Sequence, residues 1–188
     1  TLFPYTTLFR SAFAAQGRDV KMSLKRVEGY RNFVNKLWNA ARFALMHIEK
    51  APVDIAPESL PDRWILSCLS RVTEAVADAL DNYKFNEAAS ALYHFIWHEF
   101  CDWYLEAVKP ALYGKKGESA AESAGATLWL VLKNALVLLH PFMPFVTEEI
   151  WSKLPGTQGS IMTSEFPSVA KEKNEIKEED LDDYIRLT

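Results

Sequence analysis

The chain lacks most of what marks a catalytic centre. Its seven glycines are scattered, so no glycine-rich turn is available to cradle phosphates between a strand and a helix. No Ser or Cys nucleophile stands in a recognisable pattern with a base. The two cysteines, Cys68 and Cys101, are far apart and outside any C-x-x-C spacing. That excludes a disulfide framework, and each thiol falls in a helical pattern as a small apolar side chain, a usage that suits a reducing, intracellular compartment. The longest apolar run, residues 126–139, is interrupted by Lys133. It is too short to span a bilayer and reads as a core helix, so no membrane association is expected. No signal peptide and no internal repeat are found. The net charge of −4 gives no general hold on nucleic acid.

The distribution of that charge says more than its sum. Residues 1–50 hold nine Lys/Arg against three Asp/Glu, so the other 138 residues carry −10. The basic part coincides with residues 20–48, a stretch free of proline with apolar residues at helical spacing. At about 100° per residue, Val27, Tyr30, Val34, Leu37, Trp38, Ala41, Leu45 and Ile48 share one side. This predicts an amphipathic helix of about seven to eight turns, its apolar face toward a core. Lys25, Gly29, Asn32, Lys36, Asn39, Phe43 and His47 lie opposite, with no acid among them. Cations, amides and an outward phenyl ring suit single-stranded RNA, where Lys meets phosphate and an unstacked base lies on the ring. The plainer reading is that Phe43 packs under a neighbouring helix and the lysines serve solubility. Pattern alone leaves both open.

The remaining chain predicts an all-α protein. A second helix is expected over residues 61–82. A third, capped by Asn86, is expected to run to about residue 108 and to end at Pro110. Residues 113–125 read as a Gly/Ser/charge linker, residues 126–139 as a fourth helix and residues 147–154 as a short fifth after Pro141 and Pro144. Residues 160–167 are expected to be extended, and residues 170–183 form a charge-rich connector. His94, His98 and Asp102 share one helix face, but with no further ligand cluster they read as a packed or surface pair and no metal site is expected. Glu148 and Glu149 are adjacent on a helix and diverge by about 100°, so they cannot share a proton. The six Trp fall mostly at core-facing positions.

Three stretches carry a family resemblance. Residues 17–43 (GRDVKMSLKRVEGYRNFVNKLWNAARF), 100–110 (FCDWYLEAVKP) and 140–151 (HPFMPFVTEEIW) resemble, in the same order, the anticodon-binding domain of valyl-tRNA synthetases. Sister enzymes for isoleucine and leucine write these stretches differently, notably at Asn32-Phe33 and Met143-Pro144-Phe145, and stand as the alternative. A helical protein–protein module is a second alternative, which the basic first helix disfavours. Lys21-Met22-Ser23-Leu24-Lys25 resembles the class I signature loop at a glance, but it runs straight into a helix and is rejected as a match.

The resemblance implies an antiparallel bundle of four longer helices and a short fifth, over residues 20–167. It implies that Lys25, Asn32, Lys36, Asn39 and Phe43 face the anticodon loop of valine tRNA, along a stripe of about 27 Å. Lys25 stands where relatives use Arg, which puts a bidentate contact there in doubt. It also implies a cytoplasmic, monomeric parent enzyme that joins valine to tRNA using ATP and magnesium. The catalytic and editing domains would precede residue 12, and a tRNA-binding arm would follow the connector at residues 168–188. The fragment alone is expected to be inactive, with no catalytic residue and no cofactor of its own. Residues 1–11 (TLFPYTTLFRS) resemble the translation of a common sequencing adapter and are expected to be foreign to the fold, and residues 12–19 to close a preceding segment.

Overall fold

The computed structural model describes residues 24–167, with side chains from residue 28 onward. The adapter-like segment, the end of the preceding segment, the first turn of the predicted helix, the side chains of Lys25 and Val27, and the charged connector lie outside the described residues. Among the described residues the fold is a helical bundle without a strand: α1 (Leu24–His47), α2 (Leu60–Asp81), α3 (Phe85–His94), α4 (Leu105–Leu112), α5 (Glu118–Leu139) and α6 (Pro144–Trp151). A π-helical segment, Phe95–Tyr104, joins α3 to α4, and one 3-10 turn, Ile161–Thr163, follows α6.

The helix α2 starts where its sequence caps it. Ser59 has extended backbone, its hydroxyl oxygen accepts from the Asp62 amide, and Pro61 sits in the first turn, where a missing amide costs nothing. A tight turn with Tyr83 at φ 59° then folds α3 back onto α2. The rod from Phe85 to Leu112 is longer than expected. Pro110 lies inside α4, two residues from its end, and costs the helix the one backbone bond that an N–H at this position would have made to the carbonyl four residues back. Lys84 rather than Asn86 occupies the cap position.

The π segment is the least expected feature. The Leu105 amide reaches back to the Phe100 carbonyl, five residues away. The wider turn lets Phe95, Ile96, Glu99, Phe100, Cys101 and Tyr104 all face inward. Ordinary α spacing would spread these residues over more of the helix surface.

The helix α5 begins at Glu118, eight residues before the predicted start, so the linker shrinks to the turn at residues 113–117. The Ser and Gly residues that read as a linker are small because this end of α5 runs close to the loop after α1. The Ser123 hydroxyl donates to the Ala56 carbonyl at 2.9 Å and the Ser119 hydroxyl to Glu58 at 2.8 Å. A Cβ at Gly125 would stand 3.7 Å from the His47 carbonyl oxygen. At 22 residues α5 is long and apolar enough to cross a membrane, so the length argument made from the sequence does not hold. Its place in the core replaces that argument, since Leu128, Val131, Leu132, Leu136, Leu138 and Leu139 are all fully buried among the other helices. Proline starts α6 three residues earlier than expected, at Pro144, and residues 160–167 contain the 3-10 turn instead of a wholly extended run.

Among the described residues two carboxylates are buried, Asp62 and Glu99, and Asp62 lies deeper. Asp62 is 1% exposed, and it accepts from the Tyr104 hydroxyl at 2.9 Å and the Ser59 hydroxyl at 2.6 Å. Burial raises its pKa above the ordinary Asp value, against the lowering effect of these two hydrogen bonds. The folded protein therefore binds the Asp62 proton more readily than the unfolded chain does. Between the ordinary and the raised pKa, its contribution to stability falls as pH rises. Asp62→Asn, which keeps an acceptor for Tyr104, is expected to stay within about 1 kcal/mol of the parent at neutral pH, with its relative advantage shrinking on acidification. Asp62→Ala, which strands the Tyr104 hydroxyl, is expected to cost about 1–3 kcal/mol. Urea titrations of the three proteins across the acid range measure both effects.

Candidate nucleic-acid interface

The face that α1 turns to the core is rotated by about 60° from the predicted one, at 3.6 residues per turn. Phe33, Leu37, Ala40, Ala41, Ala44 and Ile48 are buried, while Tyr30, Val34, Trp38 and Leu45 are only half-buried. Phe33, which the pattern assigned to neither side, is fully buried. It stacks on Tyr93 at 5.0 Å and Trp97 at 6.3 Å, and those two rings stack on each other at 5.7 Å. The π segment and α3 supply this aromatic wall, and docking against it sets the rotation of α1.

The rotation moves the predicted reader stripe to the seam between α1 and the rod. Lys36, Asn39 and Phe43 line a groove of about 480 Å³ with Ala40 on the same helix and Cys101, Leu105, Glu106 and Lys109 opposite. Asn32 is exposed on the same side, outside the groove lining. Phe43 is half-buried and packs beside His47 at 4.8 Å, with Lys109 Nζ 5.8 Å from its ring centre. Phe43 therefore packs under a neighbour and lines an open groove at once; the two readings left open by its sequence position do not exclude each other.

Lys36 is held rather than free. Its Nζ is 2.5 Å from Asp102 Oδ1 and 3.9 Å from the centre of the Trp97 ring. Lys109 pairs with Glu106 at 2.5 Å. The groove thus has a cation at each end, each partly neutralised, and an apolar floor between them. Burial pushes the Cys101 thiol up to about 12, against the pull of Lys36, so it stays neutral and acts as part of that floor.

Sequence reasoning missed the far wall. Cys101 read only as a small apolar side chain in a helical pattern, yet Cys101 and Leu105, one helical turn apart, both face α1 across the groove. Their membership in the second matched stretch was the available signal. His98 lies 3.4 Å from Asp102, and His94 lies 3.8 Å from Glu99. Among the described residues, no three metal-ligating side chains converge. Glu148 and Glu149 diverge as expected: Glu148 accepts from Ser160 at 3.0 Å, and Glu149 pairs with Lys153. Three Trp (Trp64, Trp129 and Trp151) are core residues, whereas Trp38 and Trp97 are half-buried and Trp103 is exposed. A larger cavity of about 740 Å³ opens elsewhere, between α2, α5 and the segment after α6, lined by Leu69, Lys133, Asn134, Trp151 and Phe166 among others. None of the predicted site residues reaches it.

Comparison with known proteins bears on the same residues. The family described as the anticodon-binding domain of tRNA ligase matches residues 62–187. Valine–tRNA ligase of Geobacter sulfurreducens is 52% identical over 172 residues, covering 87% of this chain and 19% of the relative. That of Syntrophotalea carbinolica is 55% identical over 168 residues, covering 86% and 19%. The chain therefore spans about a fifth of the length of the curated relatives it matches. Among solved structures, the ternary complex of Agrobacterium radiobacter K84 agnB2 LeuRS with tRNA and LeuAMS aligns with a TM-score of 0.66 at 16% identity, over 89% of this chain and 20% of that one. At that identity the likeness shows the fold alone. A match of one family over most of the chain, on a bundle of the same architecture, means that this chain belongs to the anticodon-binding domains of tRNA ligases.

Proposed function

We propose that the chain is the anticodon-reading part of a valine–tRNA ligase and that the groove between α1 and the rod is where it meets the anticodon loop. The observation that carries this reading is the groove itself, which unites residues from the first two matched stretches. Lys36, Asn39 and Phe43 come from one, Cys101 and Leu105 from the other. A base inserted there would lie against Phe43 and the apolar floor, while Asn39 offers an amide to a base edge and the end cations meet phosphate. Lys25 and Asn32 extend the same stripe along α1. Valine codons begin G-U, so the bases to be discriminated are the complementary A and C.

The parent enzyme is proposed to be a cytoplasmic monomer that joins valine to its tRNA at the expense of ATP, with magnesium, in parts of the protein other than these. Among the described residues nothing fits either group. No glycine-rich turn follows a strand, and no set of metal ligands converges. This chain alone is expected to show no valine-dependent pyrophosphate exchange.

The test is binding of an RNA hairpin carrying a valine anticodon loop, over a salt series, with melting curves in parallel. Phe43→Ala is expected to weaken binding by about 1–3 kcal/mol, the worth of one base stacked on an aromatic ring. Lys36→Ala is expected to weaken it too and to flatten the salt slope by about one unit. If Phe43→Ala unfolds the protein while binding per folded molecule is unchanged, Phe43 is only a packing residue and the groove is not the reader.

A further inference from the structure

Beside the groove, along the π segment, runs a line of titratable side chains to which the reading above gives no role. The rings of His94 and His98 lie 5.2 Å apart. His98 Nδ1 is 3.4 Å from Asp102 Oδ2, and the other oxygen of the same carboxylate holds Lys36 Nζ at 2.5 Å. One carboxylate therefore serves two basic groups from two different elements. All three side chains are open to solvent, His98 and Asp102 by nearly half and Lys36 by a quarter. They can thus exchange protons and respond to an approaching phosphate.

We propose that Asp102 is a positioning residue that masks the charge of Lys36 toward RNA, and that protonation of His98 lifts the mask and makes binding in the groove pH-dependent. The proposal rests on the groove being the RNA site. With His98 neutral, Lys36 and Asp102 cancel, and a phosphate at the groove mouth meets a junction of no net charge. Imidazoles titrate between about pH 5 and pH 8. A proton on His98 gives the junction one net positive charge, and it supplies a second cation to compete for the carboxylate that restrains Lys36. The Trp97 ring beneath Lys36 keeps the ammonium at the groove mouth while this happens.

The other groups around the junction do not offset that proton. Glu99 is engaged by Arg71 of α2 at 3.0 Å, and His94 approaches this same Glu99 oxygen, not Asp102. Tyr93, from α3, has its phenol raised by burial and by Asp102, and stays neutral. The Cys101 thiol, pushed up to about 12, stays neutral too.

The test uses the full chain and a fluorescein-labelled RNA hairpin with a valine anticodon loop, from about pH 8 to about pH 5.5. The unaltered protein is expected to bind about fivefold tighter at the acid end, the worth of one unit charge at a solvated surface. His98→Gln is expected to abolish that gain, and His94→Gln to keep it. Asp102→Asn is expected to bind about fivefold tighter at pH 8. An acid gain that survives His98→Gln, or an Asp102→Asn variant that binds no tighter than the parent at pH 8, overturns the proposal. Phe43→Ala separates the two levels. If it leaves binding untouched, the groove is not the RNA site and both readings fall. If it weakens binding while the Asp102 and His98 variants match the parent, only the proposal made here falls.

Discussion

Phe33→Ala is expected to destabilise the protein by about 3–5 kcal/mol, the range for truncating a large aromatic in a packed core. Phe33 is fully buried and stacks on both Tyr93 and Trp97. Its removal leaves a cavity between α1 and the rod and unsupports the wall beneath Lys36. Trp38→Ala is expected to cost clearly less, about 1–2 kcal/mol, although Trp38 is the larger residue and lies on the stripe that periodicity selects. The reason is exposure: Trp38 is half-buried and packs only against the edge of the core. Denaturant unfolding of the two variants gives the ranking. A larger loss for Trp38 than for Phe33 would mean that α1 presents the face expected from its sequence pattern.

Gly156→Ala is expected to cost about 2–4 kcal/mol from one methyl group on an otherwise exposed turn. Two effects combine. Gly156 has φ +81°, a left-handed backbone that costs an ordinary residue about 1–2 kcal/mol. A Cβ there would also stand 2.3 Å from the Ala51 Cβ, closer than carbon atoms can approach. The turn after α6 is pressed against the start of the loop that follows α1, so the clash would push apart two segments that close one end of the bundle. The double variant Gly156→Ala/Ala51→Gly separates the two parts. With the Ala51 methyl removed, the nearest remaining atom is the Ala51 Cα at 3.6 Å. The steric share should disappear and leave the backbone share of about 1–2 kcal/mol. An unchanged melting temperature in Gly156→Ala would refute the close approach.

Much of the fold and part of the site could be read along the chain, because the features that carry them are local. Helix α2 was found to within a residue: Ser59, Pro61 and Asp62 write their own start, and the apolar period from Trp64 to Ala79 continues to the end. Composition misled where it stood for contact. The small residues at the start of α5 looked like a linker because nothing in the sequence shows that the backbone of another segment passes within reach of Ser123 and Gly125. Pro110 looked like a terminator because its position relative to the helix end is not a local property. The stripe of Lys36, Asn39 and Phe43 was legible from cation and aromatic spacing, but its partners Cys101, Leu105 and Asp102 lie far along the chain on an element whose π register no periodicity rule anticipates.

The sequence by itself determined that α1 is a helix, that one side of it is apolar and the other basic, and to which family the matched stretches point. Those follow from hydrogen bonding and hydrophobic period within one segment. The tertiary structure decided how far α1 turns about its own axis. An amphipathic stripe is broad, and within it the burial of Phe33 against Tyr93 and Trp97 competes with the burial of Trp38. The wall offered by the π segment and α3 settles that competition, because close packing rewards the orientation that leaves no void between two particular surfaces. The same rotation carries Lys36 up to Asp102 and turns a solvent-facing stripe into one wall of a groove.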